Sequence, residues 1–181
     1  MRMGRLSCAP VLFFMSMLLL AGCGYTTRSL LAPEHKSIYV EKFANKIQIA
    51  EETSDARMYR GYRPGLEVDI TKAVIDRFLS DGNLKIASQE GADLILKGEL
   101  VDFKKDALRY DANDNVEEYR IKLVVNLELM SDKGVIWEET NFAGDATYRT
   151  TGALVKSESD AIKDATQDLA RRVVERTIEG W

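Results

Sequence analysis

The chain is acidic overall and has an ordinary globular composition. Its 181 residues include 25 Lys and Arg against 29 Asp and Glu, a formal net charge of −4, and 45% of them are hydrophobic. This balance excludes a disordered chain, a collagen-like chain and a polytopic membrane protein, and it disfavours nonspecific attraction to nucleic acid. Two cysteines and one histidine, His35, give no disulfide framework, no cysteine-based metal site and no cofactor site.

The first residues have the pattern of an export signal. Arg2 and Arg5 precede an apolar run over residues 9–20. Twelve residues rise only about 18 Å as a helix, whereas a bilayer core is about 30 Å thick, so the run is too short to span a membrane. We therefore predict a signal peptide over residues 1–22.

A lipid anchor is predicted directly after this signal. The segment Leu20-Ala21-Gly22-Cys23 resembles the lipobox of bacterial lipoproteins. The resemblance implies that Cys23 is acylated, that residues 23–36 form a tether, and, because Gly24 rather than Asp follows, that the protein is sorted to the outer membrane. Its membrane contact would then be made through these N-terminal acyl chains. The alternative is an ordinary signal peptide with a chance cysteine.

Four strands are predicted from alternation. The clearest is 116–130, where apolar residues fall on every second position and mostly polar residues fill the gaps. The other three predicted strands are residues 37–43, 92–110 and 135–148. Turns are predicted at Asn113-Asp114 and at 131–134. Within 92–110 the apolar phase changes at Val101 and Phe103, which indicates either a bulge or a contact on both faces.

Two helices complete the predicted domain. Pro64-Gly65 opens the first and Gly82 ends it, and Ser157 begins the second with a Ser-x-x-Asp cap. Residues 37–181 are therefore expected to form a single α+β domain, a mixed four-stranded sheet with two helices on one face in the order β-α-β-β-β-α. The long loop 46–64 has basic and aromatic residues, so it is either a solvated loop or a contact loop for a partner.

Several segments together resemble the LPS-assembly lipoprotein family LptE. They are Cys23-Gly24-Tyr25, Ile38-Tyr39-Val40-Glu41, Pro64-Gly65-Leu66-Glu67, Ala92-Asp93-Leu94-Ile95-Leu96 and Leu169-Ala170-Arg171-Arg172. The resemblance implies a non-enzymatic outer-membrane lipoprotein that faces the periplasm and the barrel lumen. Such a protein plugs and helps to assemble the β-barrel LptD and assists lipopolysaccharide transport to the outer leaflet. The loop 46–64 is longer than the family's usual connection, so family contacts in this loop do not transfer.

No catalytic or metal-binding pattern is found, and the one constellation of interest is basic. The apolar phases predict that Lys105 lies directly across from Lys122, with Arg109 and Arg120 on the same helix-free face and Val101 and Phe103 beside them. Facing like charges cost stability, and a lipopolysaccharide phosphate between them would relieve that cost. The alternative is a solvated hairpin in which Glu118 partly neutralises Arg109.

A second function fits the same small anchored domain. An outer-membrane lipoprotein that docks on and activates a periplasmic cell-wall synthase would have the same anchor and fold class. Co-purification discriminates the two functions, because one brings down an outer-membrane barrel and the other brings down a synthase.

Overall fold

The computed structural model describes residues 34–47, 58–59 and 64–179. Seven strands and two α-helices lie in these ranges. The strands are β1 (Ser37–Val40), β2 (Ala44–Asn45), β3 (Met58–Tyr59), β4 (Lys85–Ile86), β5 (Leu94–Tyr110), β6 (Val116–Ser131) and β7 (Gly134–Arg149). The helices are α1 (Leu66–Asp81) and α2 (Glu158–Glu179).

One mixed sheet contains all seven strands. The order is β4-β1-β5-β6-β7, and β2 and β3 also pair with β5. β1 is parallel to β4 and β5, whereas β5, β6 and β7 form an antiparallel meander. The predicted α+β class is confirmed. The predicted count of four strands is too low, because β2, β3 and β4 have two residues each and are too short to show alternation.

The core lies between this sheet and the two helices. The helices bury one stripe each, including Leu66, Ile70, Val74 and Phe78 of α1, and Leu169 and Val173 of α2. Against them β6 buries alternate residues, which are Ile121, Leu123, Val125, Leu127 and Leu129. Each such side chain contributes about 1.5–3 kcal/mol before entropy is subtracted. The opposite face of the sheet carries no helix among the described residues, and we call it the open face.

Helix ends follow the predicted signals. Gly65 and Gly82 flank α1 with φ values of 90° and 80°, and the Gly82 N–H donates to the Phe78 carbonyl at 3.1 Å. Glycine adopts this left-handed backbone without steric cost. At the start of α2 the Asp160 N–H donates to Ser157 Oγ at 3.1 Å, as the capping motif predicts.

A β-bulge divides β5 into two halves. Leu100 pairs with Val125, but Asp102 pairs with Val124, so Val101 is an extra residue. Since successive strand residues point to opposite faces, one extra residue exchanges the faces of the residues that follow, up to the next register shift at Leu108. Of the two alternatives that the change of phase indicated, a bulge or a contact on both faces, the structure has the bulge.

Two strand glycines allow very close packing. A Cβ on Gly144 would lie 2.4 Å from the backbone nitrogen of Leu169, and a Cβ on Gly98 would lie 2.2 Å from the Phe43 ring. At Gly144 the obstacle is the backbone of α2 itself. Helix α2 therefore sits against β7 at a distance that only glycine permits.

The long strands have two distinct ends. One end contains the β6–β7 turn and Glu34, the first described residue of the N-terminal segment, and we call it the tether end. In this turn Lys133 Nζ lies 2.8 Å from Glu34 Oε1. At the far end lie the β5–β6 turn and the loop after β7, where Val155 forms a bridge to Arg149. Among the described residues no helix is both long and apolar enough to cross a membrane.

Candidate functional site

The bulge changes which of two neighbouring lysines lies on the open face. In the register of β5 and β6, Lys104 pairs with Lys122 and Lys105 pairs with Ile121, which is buried in the core. The prediction that Lys105 lies across from Lys122 is therefore wrong. Phe103 is likewise buried under the helices, at 1% exposure, so it does not extend the open face as predicted.

The open face still brings several cations together. Lys104 and Lys122 face each other directly, Arg120 pairs with Asp106 in register, and Arg109 pairs with Glu118. Of the four predicted residues, three therefore share this face: Arg109, Arg120 and Lys122. Together with Lys104 they form a cluster that we call the cationic patch.

Carboxylates lie beside most of the cationic patch. Lys104 Nζ is 3.2 Å from Asp102, Arg109 Nε is 3.7 Å from Glu118, and Arg120 Nε is 3.8 Å from Asp145. Within the described ranges Lys122 has no carboxylate within 4 Å, although Asp145 is its neighbour in register on β7. Facing lysines repel one another, so this pair has the strongest electrostatic reason to accept an anion.

Lys105 belongs instead to an aromatic cluster beneath the start of α2. Its Nζ lies 2.6 Å from Glu158 Oε2 and 4.4 Å from the centre of the Tyr119 ring. Tyr119 stacks on Tyr148 with 5.6 Å between ring centres, and the Tyr148 hydroxyl donates to Glu158 at 3.4 Å. These contacts join β5, β6 and β7 to the first turn of α2.

The charges of this cluster are mutually stabilising. Burial alone would lower the pKa of the Lys105 ammonium, but hydrogen bonds to Glu158 and Tyr148 outweigh it and raise that pKa. Burial raises the pKa of the Tyr148 hydroxyl. Lys105 is thus held as a cation with a structural partner on α2, and its geometry gives it no share in the open face.

A second ionic network, which the sequence did not predict, ties α2 to the outer edge of β7. Asp168 accepts from the Asp145 backbone N–H at 3.1 Å and lies 2.7 Å from both Arg171 and Arg172. Arg176 lies 2.9 Å from Glu139 and 4.8 Å from the centre of the Trp137 ring. The pairs of Asp168 with Arg171 and Arg172 lie within α2 at i,i+3 and i,i+4 spacing, whereas the partners on β7 are set by the tertiary fold.

The pKa of Asp168 reflects this network. Partial burial would raise it, but the hydrogen bonds from Arg171 and from the Asp145 N–H, together with the charges of both arginines, hold the pKa of this carboxyl below its ordinary value. Asp168 and the two arginines thus form an ionic cluster on α2, which the Asp145 N–H and the 3.5 Å contact of Arg172 with Asp145 join to β7.

At the β5–β6 turn the side chain of Asp111 stabilises the turn backbone. Asp111 accepts from the backbone N–H groups of Asn113 and Asn115 at 2.7 and 2.9 Å. Among the described residues no group of three or more His, Cys, Asp or Glu side chains is placed to hold a metal ion.

Several predictions lie outside the described residues. They are the signal peptide 1–22, the acylated Cys23 and most of the tether, and most of the loop 46–64. Within that loop only its first and last residues and β3 are described; β3 pairs with Lys105 and Asp106 of β5.

Two solved structures with TM-scores of at least 0.50 support the fold. A hypothetical protein of Chlamydia trachomatis is similar with a TM-score of 0.52 and 12% identity over 81% of this chain and 97% of that one. A protein of Xanthomonas campestris has a TM-score of 0.50 and 13% identity over 81% and 88% of the two chains. The rare lipoprotein B of Shewanella oneidensis has a TM-score of 0.43 and 15% identity over 77% and 92%.

Comparison with sequence families identifies the chain's relatives. No curated protein sequence matches it. The model of the family LptE, described as lipopolysaccharide-assembly, matches residues 36–177, which is most of the chain and nearly all of the described domain. The chain therefore belongs to the lipopolysaccharide-assembly family LptE.

Proposed function

We propose that the protein is an outer-membrane lipoprotein, anchored through acylated Cys23, that plugs and helps to assemble the LptD barrel and binds lipopolysaccharide at its cationic patch. The observation that carries the lipopolysaccharide contact is the pair Lys104 and Lys122, which face each other across β5 and β6 on the open face. Arg109 and Arg120 extend the patch. Membership of the family supports a role in lipopolysaccharide assembly. The charges of the cationic patch support a ligand that carries phosphate groups.

The chemistry of the patch suits a phosphate. A phosphate group between two ammonium groups converts a repulsion into two charge-assisted hydrogen bonds, and an arginine adds planar paired donors. The neighbouring carboxylates of Asp102, Glu118 and Asp145 keep the patch nearly neutral when it is empty. Such a site would favour transient occupation over permanent retention, which a transport step requires.

The height of the patch on the sheet also supports the proposal. Nine residues separate Lys122 from Ser131 at the tether end, and at about 3.3 Å per residue this is about 30 Å. A bilayer core is also about 30 Å thick. If β6 lies along the axis of a barrel, with the tether end level with the inner leaflet, the patch lies level with the phosphates of the outer leaflet.

Charge reversal tests the lipid contact. The double variant Lys104→Glu with Lys122→Glu should reduce lipopolysaccharide capture by the purified protein, with an unchanged circular dichroism spectrum. The matched control is Lys72→Glu with Lys163→Glu, which makes the same change in net charge at two exposed lysines of the helices. Equal losses in both variants, or no loss in either, would remove the patch from the proposal.

The barrel contact has its own test. Gentle detergent extraction of cells that express the affinity-tagged protein should co-purify an outer-membrane barrel. The double variant should retain the barrel and lose bound lipopolysaccharide. Recovery of a periplasmic synthase without a barrel would replace this proposal with the cell-wall function.

A further inference from the structure

The tether end carries two neighbouring apolar side chains in solvent. Val135 is 49% exposed and Ile136 is 44% exposed, although both belong to β7, which has a buried face. A regular strand would hide one of two successive residues. Here Leu129 pairs with Trp137 and Met130 pairs with Val135, so Ile136 is an extra residue without a partner on β6. This bulge exposes both side chains side by side.

The N-terminal segment leaves the domain next to this pair. Asp93 accepts from the Lys36 and Ser37 backbone N–H groups at 2.8 and 3.0 Å, which fixes the start of β1. Glu34 then reaches the β6–β7 turn, where Lys133 lies two residues before Val135. Cys23 is eleven residues before Glu34, which spans at most about 40 Å. An acyl group at Cys23 thus keeps this end, more than any other, close to the membrane.

We infer that Val135 and Ile136 contact the phospholipid surface when the acylated protein is not joined to a barrel. The inference rests on the proposed anchoring at Cys23. Two aliphatic side chains add a shallow contact at the interface, in addition to the acyl chains. The contact would keep β5, β6 and β7 upright on the bilayer, with the cationic patch pointing away from the inner leaflet and available to a barrel.

Site-specific fluorescence in vesicles tests the contact on the full mature protein. Cys8 is removed with the signal peptide and Cys23 is blocked by its lipid, so an introduced cysteine is the sole free thiol. Val135→Cys and Ile136→Cys each receive an environment-sensitive dye. Leu154→Cys is the matched control, because Leu154 is 73% exposed and lies at the far end beside Val155.

The vesicles contain phosphatidylethanolamine, phosphatidylglycerol and a phospholipid with a nitroxide near the headgroup. The dyes at 135 and 136 should shift to shorter emission wavelength and be quenched, and the dye at 154 should show neither change. Protein that floats with the vesicles but shows no quenching at 135 and 136, or equal quenching at 154, overturns this inference alone. Protein that does not float and has an unmodified Cys23 overturns the proposed anchoring and this inference with it.

Discussion

The contact between Gly144 and α2 gives the sharpest prediction. In Gly144→Ala the new methyl group would lie 2.4 Å from the Leu169 nitrogen and 2.5 Å from its Cα, so the helix backbone must move. Overpacking of a tight core costs about 1–3 kcal/mol, and a backbone obstacle belongs at the upper limit. Replacing Gly by Ala also lowers the conformational entropy of the unfolded chain, which raises the free energy of unfolding by about 0.4–1 kcal/mol. The expected net loss is about 2 kcal/mol.

Thermal and urea unfolding followed by circular dichroism measure this loss. For a domain of about 150–250 residues, about 2–4 °C of Tm corresponds to 1 kcal/mol, so Tm should fall by about 4–8 °C. Gly91→Ala is the matched control, because its Cβ would meet only Ser88 Oγ, at an ordinary 3.7 Å. This control should be neutral or slightly stabilising.

A pair of rescue variants checks the cause. In Gly98→Ala the obstacle is the Phe43 ring, so adding Phe43→Leu should restore part of the stability. In Gly144→Ala the obstacle is backbone, so adding Leu169→Ala should restore none. An unchanged Tm for Gly144→Ala, or its rescue by Leu169→Ala, would refute the close-packing argument.

Three further predictions follow from the polar contacts. Lys105→Met should destabilise the fold by about 1–2 kcal/mol in urea unfolding, because it removes the contacts to Glu158 and Tyr119, and it should leave lipopolysaccharide capture per folded molecule unchanged. A loss of capture in folded Lys105→Met would show that this residue is part of the lipid site after all. Ser157→Ala should cost about 1 kcal/mol as a lost helix cap, whereas Ser159→Ala should cost little, and equal effects would argue against the cap. Because the folded pKa of Asp168 is lowered, its stabilising effect is fully present above the unfolded pKa of about 3.9 and is lost as pH falls through the folded pKa. Asp168→Asn should therefore be less stable than the parent at pH 7, and this difference in stability should narrow as pH falls below about 3.9; a difference independent of pH would contradict the assignment.

Most of the fold could be predicted because the long elements repeat their signals many times. The alternation in β6 recurs over the whole strand, and α1 is bounded by glycines at both ends. The strands β2 and β3 were not predicted, since two residues are too few for a period and their pairing with β5 is set by the tertiary fold. The contacts that join α2 to β7 were not predicted for the same reason, because Asp145 and Glu139 are distant in sequence from the helix residues that they contact.

The predicted site was displaced by one residue for a physical reason. The register was counted back from a turn centred between Asn113 and Asp114, whereas Tyr110 pairs with Val116, which centres the turn on Asn113 and places Lys104 opposite Lys122. Phe103 is the residue in the sequence that indicates the observed orientation of the two lysines. A large aromatic residue marks the buried phase, and Lys105 shares that phase, which leaves Lys104 for the open face.

The extra residue at Val101 has a consequence for comparing this chain with its relatives. In a relative without the insertion, a lysine at the same distance from the start of β5 would lie on the opposite face of the sheet. Aligning lysine with lysine by position would then equate a side chain on the open face with one that contacts α2. Equivalent basic residues within the family are therefore identified by the face of the sheet on which they lie. A basic residue that is missing from one column of a sequence alignment can still be present in the next column.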